Sequence, residues 1–233
     1  MRMLLPIAVF GLVVVGGIFG YAALQEPAGP SRPIEAMAVE TQGSGTGVAS
    51  GEPSPDATVL QIRPGVSTAT FTVEEILRGE ANTVVGKTDQ VAGQIALDPN
   101  EPSNTRVGTI LIGARALATN DTMRTRMLRQ FILSTDQFEY IAFTPTTITG
   151  LPARVTPGAA YQVQIDGKLT IKDVTRDVSF AANITPVSMS ELTGNATTTI
   201  NQKDFGITIP QVRFVAGVAD EVKLDLSFVA TAA

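Results

Sequence analysis

The side chains of this sequence that could do chemistry are carboxylates and arginines. It holds no Cys, His or Trp. Without His or Cys there can be no Ser-His-Asp or Cys-His arrangement, no zinc site of the usual donors and no disulfide framework. The commonest general base near neutral pH is also missing. The remaining acid–base candidates are Glu74 and Glu75, Asp166, Asp177 and Asp204. A carboxylate pair can run acid–base chemistry alone, but no spacing here points to one. A solvated strand face or turn accounts for each, and no enzymatic activity, cofactor or metal is expected.

Arg124, Arg126 and Arg129 form the one cationic cluster. They lie in Asn120–Leu133, whose apolar residues Met123, Met127, Leu128, Phe131 and Ile132 share one arc of a helix. Asn120, Asp121 or Thr122 can cap it. Arg126 and Arg129 fall on the wet side, whereas Arg124 falls within the apolar arc. An arginine aimed at the dry side needs an ion pair or a bound anion. Asp204 is one candidate partner.

The elements around this helix read as strands. Tyr161, Val163, Ile165, Gly167, Leu169 and Ile171 alternate with polar residues. So do Val174, Val178, Phe180, Ala182 and Ile184, and later Val222, Leu224, Leu226 and Phe228. Such alternation marks strands with one dry and one wet face. Further strands are expected near Thr58–Arg63, Thr68–Leu77, Gln90–Leu97, Arg106–Ala116, Glu139–Thr149 and Glu191–Ile200. Ile171-Lys172-Asp173-Val174 predicts a two-residue hairpin, with Asp173 suited to positive φ. An antiparallel sheet this large must close or sandwich to hide its edges. Periodicity alone leaves barrel and sandwich both open.

Ahead of the strands stands Met3–Leu24, a run without a charged side chain. It is about as long as a bilayer core requires, ~20 residues. A cleaved secretory signal competes with an uncleaved anchor, and the length favours the anchor. With Arg2 before the run, the carboxyl-terminal part is expected outside the cytoplasmic membrane, on a single pass. Residues 26–57 are rich in Pro, Gly, Ser and Ala and read as a flexible tether. The expected organisation is therefore anchor over 1–25, linker over 26–57 and β-domain over 58–233. The net charge is −5, and from Thr58 onward acids and bases nearly balance. With no basic stripe interleaved with aromatics, nucleic acid is not an expected partner. Exposed sheet edges or the anchor would allow a homodimer.

Several landmarks, in order, resemble the YceI-like family of lipocalin-like polyisoprenoid-binding proteins. Ile62–Val73 is similar to its first hairpin, and Val85-Gly86-Lys87-Thr88 with Val91–Ile95 to its next. Thr119-Asn120 with Arg124 and Leu128 resembles its helix pattern, and Phe138–Phe143 with Pro145 the strand that follows. Gly167–Ile171 with Val174-Thr175-Arg176 resembles its central hairpin, and Asp204-Phe205-Gly206 its late motif. The chain departs from the pattern at Thr125, Met127, Asp173 and Gln202, around the helix and the late loop.

The resemblance implies a closed eight-stranded antiparallel barrel with one short helix. Its interior would be an apolar tunnel for the tail of an isoprenoid or other long-chain lipid, bound without chemistry. On that reading Phe71, Val73, Tyr161, Val163, Ile165, Val178, Phe180 and Phe205 face the ligand. Arg124, Met127, Leu128 and Phe131 cover it from the helix. The competing expectation is a structural or interaction β-domain whose inward residues fill a solid core.

Overall fold

A computed structural model describes Ile34, residues 56–210 and residues 215–232. The expected anchor and most of the linker lie outside the described residues. Among the described residues, no helix is long and apolar enough to cross a membrane.

Thirteen strands are described, and all their pairings are antiparallel. In chain order they are β1 (Thr58–Ile62), β2 (Thr68–Leu77), β3 (Glu80–Thr88), β4 (Val91–Ala92) and β5 (Gln94–Leu97). There follow β6 (Arg106–Val107), β7 (Ile110–Gly113), β8 (Ala118–Thr119), β9 (Tyr140–Thr149) and β10 (Tyr161–Ile171). The last are β11 (Val174–Ser188), β12 (Glu191–Asn201) and β13 (Val215–Ala232). The sheet runs β4-β7-β9-β10-β11-β12-β13-β1-β5-β6, with β2 and β3 branching from β13. The path of ten strands is open and curled, and its pairings do not by themselves show the closed eight-stranded ring that the family resemblance implies. The expected stretches Gln90–Leu97 and Arg106–Ala116 each break into short pieces. The first breaks at Gly93, and the second ends in a 3-10 turn over Ala114–Ala116.

The long strand β13 holds the two branches together. It pairs with β12 along one edge and with β2, then β1, along the other. Between those two partners the ladder is completed by a side chain. The Val229 N–H donates to Ser67 Oγ at 3.1 Å, and the Arg63 N–H donates to the Val229 carbonyl at 2.9 Å. Ser67 is fully buried there.

The predicted hairpin joins β10 to β11 with Ile171 opposite Val174. Its positive φ falls on Lys172, at 58°, and not on Asp173 as expected. The helix α1 (Thr122–Met127) is capped by Asp121, whose carboxylate accepts the Arg124 N–H at 2.7 Å. It is shorter than expected because Leu128–Ile132 widens into a π turn, with Leu133 N–H bonded to the Leu128 carbonyl at 2.8 Å.

Apolar side chains gather in two clusters. One includes Leu117, Leu128, Leu133, Phe143, Phe180 and Phe205, toward the helix. The other includes Leu60, Ile62, Ile95, Ile110, Leu192 and Phe228. Ile184 and Leu226 pack against both.

Candidate functional site

The two clusters do not fuse into a solid core. Between them lies a cavity of about 150 Å³. Phe143, Val163, Leu169 and Phe180 of the first cluster line it, as do Ile62, Ile95, Ile110 and Phe228 of the second. Thr70 and Asp225 are the polar side chains in its wall, and the rest of the lining is apolar. Native interiors pack with few voids larger than a water molecule. An apolar void near 150 Å³ stays dry and accepts an apolar guest. The alternation seen in the sequence has thus produced strands whose dry faces meet around a space.

The helix lies toward the start of β9. Arg115, in the turn after β7, reaches the Thr135 carbonyl at 3.1 Å and lies 3.6 Å from the Glu139 carboxylate. Arg129 Nε donates to the Leu117 carbonyl at 2.9 Å, so it is not the purely solvated side chain expected. Toward the end of β9 a groove of about 470 Å³ adjoins the cavity and shares Val107, Pro145, Ile148 and Leu151 with it. Its other walls are mostly polar, including Ser103, Thr105, Arg106, Thr146 and Thr147. Here β9 carries a bulge: Asp166 pairs with Thr147 but Gly167 with Pro145. The intervening Thr146 bonds through its hydroxyl to the Asp166 carbonyl at 3.1 Å. Bulges at a barrel rim end regular pairing and re-aim side chains. Arg106 is committed within the groove wall, donating to the Ser103 and Thr105 carbonyls at 3.2 and 3.0 Å.

Of the residues proposed from the sequence, Phe71, Val163, Ile165 and Phe180 line the cavity. Leu128 and Phe205 are buried in the helix-side cluster, against which Val178 packs. Val73 is buried, and Met127 is half-buried at the end of α1. Tyr161 is half-buried with its hydroxyl accepting the Thr156 N–H at 2.9 Å, away from the cavity lining. Phe131 is 61% exposed, within the π turn that shifts it off the expected apolar arc.

Arg124 has an ion-pair partner, but not Asp204, which is exposed. Arg124 Nη2 lies 2.9 Å from Glu75 Oε1. The Asn82 amide donates to the same oxygen at 2.7 Å. Glu75 is 7% exposed, so it is not the solvated strand residue expected. Its position was readable: it shares the phase of Phe71 and Val73 on β2, the inward face. Arg124 thus ties α1 to β2. Gly167 and Gly86 share the inward phase of their strands as well: Gly167 belongs to the alternating row read from the sequence, whereas Gly86 enters only through the family landmark Val85-Gly86-Lys87-Thr88.

A curled sheet around an apolar cavity, with a helix toward one end and a polar groove toward the other, matches a known domain. The YceI-like domain model matches residues 60–230. The chain belongs to the YceI-like family. Solved structures agree at the level of fold. A polyisoprenoid-binding domain from Saccharophagus degradans, implicated in plant cell wall breakdown, superposes with a TM-score of 0.59 at 13% identity. The match covers 76% of this chain and 99% of that one. BcnA of Burkholderia cenocepacia gives 0.58 at 17% identity, over 73% and 99%. The YCEI protein of Campylobacter jejuni gives 0.51 at 16%, over 64% and 84%. No curated protein matches the chain by sequence. These likenesses make the YceI-like chain an all-β, lipocalin-like fold with one short helix among its described residues.

Proposed function

We propose that this YceI-like protein binds a polyisoprenoid or similar long-chain amphiphilic lipid, without chemical change to it. The tail lies in the cavity and the head in the adjoining groove. The observation that carries this reading is the unfilled apolar space of about 150 Å³ between the two clusters. It is supported by a solved neighbour described as a polyisoprenoid-binding domain.

Each buried methylene contributes ~0.8 kcal/mol. Six buried carbons, about what a space near 150 Å³ accepts, would give ~5 kcal/mol before the cost of ordering the chain. Part of a long tail therefore contributes substantially to affinity. On this reading the curled sheet closes into a barrel through Val91–Leu97. Gly93 alone separates β4 from β5, and its carbonyl accepts the Ile62 N–H at 2.9 Å. The charge-free run Met3–Leu24 would hold the domain at the outer face of the cytoplasmic membrane, where such a lipid is locally concentrated.

Titration of the delipidated protein with N-phenyl-1-naphthylamine tests the proposal. The probe should brighten on addition of the protein and dim as geranylgeraniol displaces it. A probe that stays dark at all protein concentrations would mean a filled core and would refute lipid binding.

A further inference from the structure

Three phenylalanines that line the cavity each sit beside a wall glycine. Phe71 on β2 faces Gly86 on β3, and Phe228 on β13 faces Gly194 on β12. Phe143 on β9 is the diagonal neighbour of Gly167 on β10. In every pair the ring occupies the space a Cβ on the glycine would fill. A Cβ at Gly167 would stand 2.7 Å from Phe143 Cζ, and one at Gly194 2.8 Å from Phe228 Cζ. One at Gly86 would overlap the Phe71 ring itself. None of these three glycines needs a positive φ. Backbone freedom thus does not explain them, whereas the ring beside each one does.

We infer that these glycine–phenylalanine pairs set the bore of the cavity, and with it the preference of the lipid site for methyl-branched over straight tails. The inference rests on the lipid-binding reading above. Each glycine gives its neighbouring ring a seat within the wall, so the ring takes less of the lumen. Phe71 shows the consequence most plainly. Gly86 flanks it on β3 and Leu224 on β13, both in register. A methyl at Gly86 closes the seat, Leu224 blocks the opposite side, and the ring swings inward. The narrowed lumen then excludes a branched chain before a straight one, because a branch widens the cross-section at every isoprene.

Gly86 is the cleanest position to change, because the three atoms nearest to a Cβ there all belong to the Phe71 ring. At Gly167 and Gly194 a Cβ would also press on backbone oxygens, at 2.6 Å from Thr144 and 2.8 Å from Asn183. The test compares geranylgeraniol with hexadecan-1-ol, alcohols of equal main-chain length, with phytanol, which has the four methyl branches but no double bonds, separating branching from unsaturation. All three displace N-phenyl-1-naphthylamine from wild type, Gly86→Ala, Phe71→Leu and the double variant. Gly86→Ala should weaken geranylgeraniol and phytanol by about tenfold or more and hexadecan-1-ol far less. Adding Phe71→Leu should restore the branched ligands. Phe71→Leu alone keeps the glycine and removes the ring, and should raise the relative affinity for the branched alcohols. That arm decides the matter if Gly86→Ala does not fold. Wild type that binds, with both single variants keeping its preference, overturns the inference alone. Wild type that binds none of these alcohols overturns the lipid reading and the inference with it.

Discussion

Arg124 Nη2 and Glu75 Oε1 lie 2.9 Å apart, joining the helix to the inward face of β2. Glu75 is nearly buried, and the Asn82 amide donates to the same oxygen. Removing only the arginine strands a carboxylate in a dry setting. Arg124→Met should therefore cost about 2–4 kcal/mol in urea unfolding, somewhat under the full buried-pair penalty because Arg124 is partly exposed. Replacing both, Arg124→Met with Glu75→Leu, should recover most of that loss. A single variant as stable as wild type would contradict the structural role given to this pair.

Ser67 completes a ladder that two strands share. With its hydroxyl removed, the half-buried Val229 N–H loses its acceptor. Ser67→Ala should cost about 1–3 kcal/mol by the same unfolding measurement. It should also speed hydrogen exchange at Val229.

Asp166 gives the sheet a small acid dependence. The hydroxyl of Ser179 and then the amide of Gln164 donate to its carboxylate and hold its pKa below the ordinary value, against a weaker opposing effect of burial. A carboxylate stabilised in the folded state contributes at pH above its unfolded pKa. That contribution is lost as pH falls through the folded value. The urea midpoint of Asp166→Asn should thus fall less than that of wild type between neutral and strongly acidic pH. Parallel curves for the two proteins would contradict the assignment.

Ala196 lines the cavity from β12 and is well buried. In a solid core, enlarging such an alanine costs about 1–3 kcal/mol. Here the new methyl groups enter empty space. Ala196→Leu should leave the ligand-free protein within ~1 kcal/mol of wild type by urea unfolding, or stabilise it. Probe binding should weaken at the same time.

The strands that alternate most clearly were legible from residue order alone. Thr68–Leu77 and Tyr161–Ile171 have the expected bounds; a clear wet–dry period runs through Tyr161–Ile171 and, in Thr68–Leu77, as far as Val73. β3 was foreshadowed only by a family likeness over Val85–Thr88, since its Gly and Asn blur the alternation. The short strands around Gly93 were hidden for another reason: a bend breaks pairing without changing hydropathy. In the site, Phe71, Val163, Ile165 and Phe180 follow from strand phase alone. Phe131 ends exposed, since the π turn that holds it shifts side chains relative to an ideal helix. Glu75 was legible by phase, but an acid on an inward row carries no apolar signal to draw attention to it. Whether inward rows meet or stand apart depends on how the sheet curls, which no local pattern encodes.

The central claim is that the space between the two clusters holds a lipid tail. Native mass spectrometry of the full chain, purified from bacterial membranes in mild detergent, tests this most directly. The predicted result is an added mass of discrete lipid size that organic extraction removes and geranylgeraniol replaces. A protein that flies at its bare mass and acquires no added mass with geranylgeraniol would contradict it.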